Sequence, residues 1–410
     1  MNARPSCLHS RVYPSVSTCA VVLAIVWCGG SRALAQQPEL ANPYERVDWA
    51  TVSHYRADLH VHTIQSDGCH HPEEVVRTYR KAGFSILAIT DHDTVFPNLC
   101  PTRDAASPQQ ISMGLFTEAH SPYPDPRPAN FPADTTWPWT DYGAPSPAEL
   151  GMLGIEGAEL TCGHHRNTFF VDYGVIGPCT PTINEQFQEV ARRGGLAVIN
   201  HPEPRFKEWY YELYRDHSAD YLVGMEISHA VDDATALWDQ LLADLMPSRP
   251  VWGFATSDMH FFKQTPFAFT VFLLDELTME NTKEAMRAGR FYSVVGPGTM
   301  DLREVGRAAY DGTYPELRSI SVDRDATEIS IDAANYDEIV WITGRSAWRY
   351  TIDPETGVSW PAGEIVHRGP VFNYSNRNAA LRYVRVELLR HAENVPVRLI
   401  LNPFALTPPQ

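Results

Sequence analysis

The chain of 410 residues contains no run of lysine or arginine, and its 50 acidic residues outnumber 33 basic ones for a formal net charge of −17. A surface that acidic repels polyanions unless one face is locally basic, so nucleic acid is not an expected partner. A small anionic substrate survives the objection, because bound divalent cations reverse the field locally. No C-x-x-C spacing occurs among the seven cysteines, which removes support for a zinc–thiolate site. There is no glycine-rich phosphate loop and no Ser/His/Asp arrangement to supply a nucleophile. Beyond the N-terminus nothing is apolar over the roughly 20 residues that a spanning helix needs. Internal repeats and low-complexity blocks are also missing. What remains, 44% apolar and 20% charged residues, is the composition of an ordinary globular protein.

The N-terminus has the features of an export signal. Arg4 and Arg11 precede the apolar run "VSTCAVVLAIVWC", and "ALA" before Gln36 fits an A-x-A cleavage site. The run is short for a membrane anchor, and the bulky Trp27 disfavours lipidation at Cys28. Residues 1–35 are therefore expected to be a signal peptide cleaved near Ala35, leaving a periplasmic or extracellular protein with no membrane span. Four cysteines remain in that mature chain, Cys69, Cys100, Cys162 and Cys179, and sequence alone permits three pairings.

From residue 55 onward short apolar runs alternate with helical stretches. "YRADLHVHT" reads as a strand, "HPEEVVRTYRKAG" as a helix stopped by Gly83, and "FSILAITDHD" as a buried parallel strand. Residues 97–147 are crowded with proline and lack periodicity, as in a surface insertion. Alternation then resumes up to Gly298, predicting a parallel sheet most simply closed as a barrel. After Gly298 the segments "EISIDAANY", "EIVWITG", "RYTIDP", "YVRVELLR" and "VRLILNPF" predict a small antiparallel β domain over 299–410, packed on the barrel's outer wall.

The chemistry gathers at strand ends. In "ADLHVHTIQSDG", His60 and His62 stand two residues apart and would point to one face of a strand, with Asp67 just beyond. "AITDHD" carries Asp91, His92 and Asp93, "GAELT" Glu159, "CGHHRN" His164 and His165, "VINHPEP" His201, and "GFATSDMH" Asp258 and His260. In parallel barrels such ends form the active face. A lone histidine there is more often a hydrogen-bonded structural residue, but two i, i+2 pairs with four further motifs point to metal.

The order D-L-H-x-H…S-D-G, T-D-H-D, G-x-E-L-T, an H-x-N segment, N-H-P and S-D-x-H resembles the polymerase-and-histidinol-phosphatase (PHP) family over about 55–296. The resemblance implies a distorted (β/α)7-type barrel over 55–298 that holds two or three divalent ions, usually Zn, Mn or Fe. By analogy one ion would take His60, His62, Glu159 and Asp258; a second would share Glu159 and use His165 and His201; a third would take Asp67, His92 and His260. Glu156 competes with Glu159, which Leu160-Thr161 favour, and His164 competes with His165, which "HRN" favours. Asp91 and Asp93 are expected to orient imidazoles; among the remaining histidines only His229, after "MEIS", has a strand-end position from which substrate could be touched, and position is all that speaks for it.

Clustered metals of this kind turn a bridging water into hydroxide near neutral pH. The reading that follows is a secreted phosphoesterase acting on a small substrate, with no catalytic side chain beyond the metal-borne hydroxide. Arg166, Arg205 and Lys263 are the cations placed to bind outer phosphate oxygens. Hydrolysis of a carboxylic or carbamate ester or an amide is the second reading, and a non-catalytic secreted binding protein the third.

Overall fold

The strand that leads to the paired histidines stops before it reaches them. In a computed structural model of the chain, β1 (Glu39–Ala41) is followed by β2 (Ser53–Asp58), and His60 and His62 lie beyond the ladder. Extended geometry continues all the same, because Val61 forms an isolated parallel bridge with Met259. The structure describes residues 39–407 apart from 94–99, 114, 117–134, 176–180, 230–231, 307–311, 345–362, 376–380 and 393–394. The expected signal peptide, Cys179 and "RYTIDP" fall outside the described residues. No helix among those described is long and apolar enough to cross a membrane.

α1 (Pro72–Lys81) begins with Pro72 at its first position, places Glu73 and Glu74 in the first turn, and ends with Arg80 and Lys81. Each charge faces the end of the helix dipole that it complements. There follow β3 (Ile86–Ala88), α2 (Pro108–Met113), β4 (Leu153–Ile155), β5 (Gly157–Leu160) and β6 (Arg166–Phe169). α3 (Ile183–Arg192) opens with a capping box between Thr182 and Glu185. Next come β7 (Leu196–Ile199), α4 (Lys207–Asp216), β8 (Leu222–His229), β9 (Asp232–Asp233), α5 (Thr235–Leu245) and β10 (Trp252–Ala255). β11 (Thr265–Leu274), α6 (Met279–Ala288) and β12 (Phe291–Met300) complete the alternating part. Among the described residues only strands follow: β13 (Glu316–Asp323), β14 (Glu328–Ala334), β15 (Glu338–Thr343), β16 (Glu364–Arg368), β17 (Val371–Asn373), β18 (Tyr383–Ala392), β19 (Val395–Leu401) and β20 (Phe404–Thr407).

Among the described residues these strands form three sheets of a mixed α/β protein. An eleven-stranded sheet runs β1-β20-β18-β19-β12-β11-β2-β3-β4, with β15 and β16 continuing from β18. A six-stranded sheet runs β10-β8-β7-β6-β5 with β9 on β8, and β13-β14-β17 form the third. Among the described residues no sheet closes on itself, so the expected closed barrel is not seen. The chain crosses from the first sheet to the second at Glu156, between β4 and β5, while the Val61–Met259 bridge links the ends of β2 and β10.

Nor is the sheet parallel throughout. β2-β3-β4 and β7-β8-β10 are parallel, but β6 is antiparallel to β5 and β7, and β11 is antiparallel to β2 and β12. Residues 161–165 between β5 and β6 are too few for the crossover that parallel neighbours require. The strands after Gly298 also differ from the packed-on domain expected of them. β19 pairs edge to edge with β12, Tyr292 opposite Leu401, and extends the same sheet. One apolar cluster holds Tyr79, Phe269 and Val294 together with Val386 and Leu399.

The proline-rich segment is less superficial than its composition suggests. Its end buries Trp139 in that cluster, and Thr136 Oγ1 donates to Asp91 at 2.6 Å. Cys69 is bonded to Cys100, and Cys162 is also in a disulfide whose partner lies outside the described residues.

Candidate metal centre

The nine residues singled out by their positions at strand ends come together in space. His60 Nε2 lies 3.1 Å from His62 Nε2, 3.3 Å from Glu159 Oε2 and 3.1 Å from Asp258 Oδ1. His62 Nε2 is 3.3 Å from the same Glu159 oxygen and 3.2 Å from the same Asp258 oxygen. Ligands held tetrahedrally around an ion at about 2.0–2.1 Å are separated by about 3.3 Å, and the distances from the two imidazoles to each other and to these carboxylates, 3.1–3.3 Å, lie near that value. Because Glu226 Oε1 accepts from His60 Nδ1 at 2.7 Å, a neutral His60 ring would turn a lone pair at Nε2 toward that common point. The donor set fits a borderline divalent metal.

Glu159 extends the arrangement. Its other oxygen, Oε1, is 3.1 Å from His165 Nδ1 and 3.2 Å from His201 Nε2. His92 Nδ1 approaches Oε2 at 3.1 Å. On the opposite flank Asp67 Oδ2 lies 3.5 Å from His92 Nε2 and 3.3 Å from His260 Nε2, and Asp67 Oδ1 is 3.5 Å from His62 Nδ1. Three groups have ligand atoms close enough to share an ion: His60–His62–Asp258, His92–Glu159–His165 and His62–Asp67–His92–His260.

Charge and backbone geometry agree with a cation site. Burial works against charge on His60 and His62, yet Asp258 and Glu159 outweigh it and raise both, His62 to about 10. Burial likewise opposes ionisation of Glu159, Asp67 and Asp258, and the surrounding histidines still hold all three below the usual carboxylate range. The cluster thus attracts positive charge, which bound cations would supply. His201 and Asp258 are at φ of 26° and 49°, a region that non-glycine residues adopt only when neighbours enforce it.

The neighbours that enforce it were not all evident from sequence. Glu226 Oε1 holds His60 Nδ1 and accepts from Thr256 Oγ1 at 2.7 Å, while Oε2 accepts from His201 N at 2.6 Å. Asp58 accepts from Ser257 N, Ser257 Oγ and Tyr79 Oη, fixing the residue before Asp258, and burial pushes its own pKa up to about 6. Asn200 Nδ2 donates to Glu159 Oε1 at 2.7 Å and to Asn167 Oδ1 at 3.0 Å. A lone acid inside the apolar run "LVGMEISH" was the available signal for Glu226.

Several expectations change. Asp91 and Asp93 hold backbone and hydroxyl groups: Asp91 accepts from Thr63 N, Thr63 Oγ1, Ser66 Oγ and Thr136 Oγ1, and Asp93 from Thr161 N and Val175 N. His165 faces Glu159, whereas His164 turns away to stack on Trp209 at 4.4 Å between ring centres. Glu156 is apart from the three groups. Arg166 is fully buried and gives its Nη1 to the carbonyls of Cys162 and His164, so it tightens the loop before β6 instead of reaching a substrate. Arg205 and Lys263 are exposed, with Arg205 paired to Glu203. The side chain of His229 lies outside the described residues.

No family model matches the sequence. A curated relative, the 5'-3' exoribonuclease Rnm of Escherichia coli (strain K12), is 41% identical over 59 residues, 14% of this chain and 20% of that protein. The chain thus matches about a fifth of that relative's length. Among solved structures, the lesion-specific endonuclease PfuEndoQ of Pyrococcus furiosus is similar at TM-score 0.35 and 14% identity, over 76% of this chain and 70% of its own. A two-domain protein of Bacteroides vulgatus ATCC 8482 is similar at TM-score 0.41 and 14% identity, over 90% of this chain and 98% of its own. Over nine-tenths of its length, the chain is therefore similar to a protein described as containing a predicted PHP-like metal-dependent phosphoesterase.

Proposed function

We propose that the protein is an exported metal-dependent hydrolase of PHP type whose first substrate class is a small phosphoester. The observation that carries the reading is the convergence of His60, His62, Glu159 and Asp258, from three separate segments, with Glu159 and Asp258 each 3.1–3.3 Å from both imidazoles, near the spacing of ligands around one ion. Those four hold one ion, Glu159 with His165 and His201 a second, and Asp67, His92 and His260 a third. The metal-bearing part occupies 55–298 as a distorted, incompletely hydrogen-bonded (β/α)7-type barrel, and 299–410 form its β-rich C-terminal part. Residues 1–35 are removed on export.

Bound divalent ions supply Lewis acidity, activating water and stabilising the leaving oxygen. The protein supplies position. Glu226 fixes the tautomer of His60, and Asn200 fixes the carboxylate of Glu159. His60, His62 and Glu159 form a floor closed to water, with side-chain exposures of 0%, 0% and 1%. Asp67, His165, His201 and His260, at 21%, 28%, 29% and 30%, form the side from which substrate enters. Arg205 and Lys263 follow His201 and His260 closely in the chain and are the cations available to an anionic ester.

The acidic composition favours a small substrate over a polynucleotide. Purified protein reconstituted with Zn, Mn or Fe, assayed against phosphomonoesters, phosphodiesters, carboxyl esters and amides, tests the proposal. Metal-dependent turnover of a phosphoester, lost in Asp258→Asn, is expected. Turnover of only carboxyl esters or amides would replace the substrate class, and a folded protein without metal would remove the reading altogether.

A further inference from the structure

Residues 59–71 link β2 to α1 and carry His60, His62 and Asp67, with only the Val61 bridge as regular structure. Asp91 holds the first half, accepting from Thr63 N, Thr63 Oγ1 and Ser66 Oγ, each at 2.7 Å. The second half has other anchors. Cys69 is bonded to Cys100 across 31 residues, and Cys69 N donates to His260 O at 2.8 Å. Cys69 stands two residues after Asp67, and Cys100 lies in the segment that follows His92. A single cystine thus ties the segment of Asp67 to Cys100, eight residues after His92 in the chain, and one backbone hydrogen bond ties it to the segment of His260.

We propose that the Cys69–Cys100 disulfide is a positioning element of the metal centre, holding Asp67 against His92 and His260 so that this group takes its ion only in the oxidised chain. The inference rests on the metal reading above. The His60–His62–Glu159–Asp258 group has separate supports in Glu226, Asn200 and Asp58, and it keeps its ion when the disulfide is absent. Without the cross-link, residues 64–71 regain conformational freedom. Ordering them then draws on the free energy of metal binding, which weakens affinity at Asp67 selectively. Oxidation therefore precedes complete metal loading.

The test compares full-length wild type with Cys69→Ala/Cys100→Ala after reconstitution with Zn or Mn and removal of free ion. Metal content by mass spectrometry should be one equivalent lower in the variant, and a further His60→Ala substitution should lower it by another equivalent. A staple that serves stability alone would lower the melting temperature and leave the metal content unchanged, and that result would overturn the proposal. Should the variant fail to fold, wild type reduced with tris(2-carboxyethyl)phosphine gives the same comparison. The phosphine takes oxygen from water to become its oxide, and the disulfide becomes two thiols, counted by alkylation. Full metal retention in chains alkylated at both Cys69 and Cys100 would likewise overturn it. Wild type that binds no metal would instead refute the hydrolase reading.

Discussion

Glu226 makes no contact that sequence spacing could reveal, since His60 lies 166 residues away. Its two oxygens nevertheless join His60, Thr256 and the backbone of His201, residues contributed by three segments. Glu226→Gln keeps the shape and removes the charge that holds the proton on His60 Nδ1. Metal affinity is expected to fall by about 10–100-fold, with unchanged circular dichroism, in a competition titration against a chelator. The histidines were legible because imidazoles at i, i+2 before a turn have few structural uses. The acids behind them were not, because a buried carboxylate is identified by its partner and the partner is non-local.

At the scale of elements, helices were the readable part. α1 and α3 carry their caps and charge bias in the sequence, and their apolar faces repeat locally. Strand direction was not readable, since β6 runs antiparallel to β5 only because the turn between them is short. Two predictions belong here. In the loop before α1, a Cβ on Gly68 would stand 2.6 Å from the carbonyl carbon and oxygen of His62 and 2.7 Å from Thr63 N, all backbone atoms. Gly68→Ala should therefore destabilise by roughly 1–3 kcal/mol in urea unfolding and lower metal content.

The second concerns His217, which ends α4 with Nδ1 2.9 Å from Tyr221 Oη and Nε2 3.1 Å from Asn184 Oδ1. Burial holds its pKa below the free value, Asp216 opposing and Arg249 adding to the effect. The unfolded chain therefore binds this proton more readily, so the contribution is present above about pH 6.5 and is lost as pH falls through the folded pKa. Melting temperature should drop between about pH 7.5 and 5.5, and drop less in His217→Gln.

For the whole molecule, the boundary near Gly298 marks a change of pattern but not a break in the sheet. β19 covers the edge of β12, and Arg385 of β18 makes a buried bidentate pair with Asp239 of α5, both bonds at 2.7 Å. From sequence alone, a chain cut after Gly298 would be expected to keep its metal. The structure leads to another outcome: the cut exposes β12 and leaves Asp239 buried without its partner, and the fragment should be insoluble or lack a cooperative thermal transition. A soluble fragment with wild-type metal content would refute this. The continuity was hidden because an edge-to-edge pairing leaves no local signature; alternation in "VRLILNPF" shows that a strand exists and is silent about its neighbour.

β1 pairs with β20, Glu39 opposite Thr407, so the first and last described strands lie side by side. On the ribosome this sets a schedule. Every candidate ligand, from His60 to His260, is synthesised before β20 exists, and the sheet of β2, which leads to His60 and His62, stays unfinished until residues 404–407 emerge. Completion of that sheet is thus deferred to the end of translation.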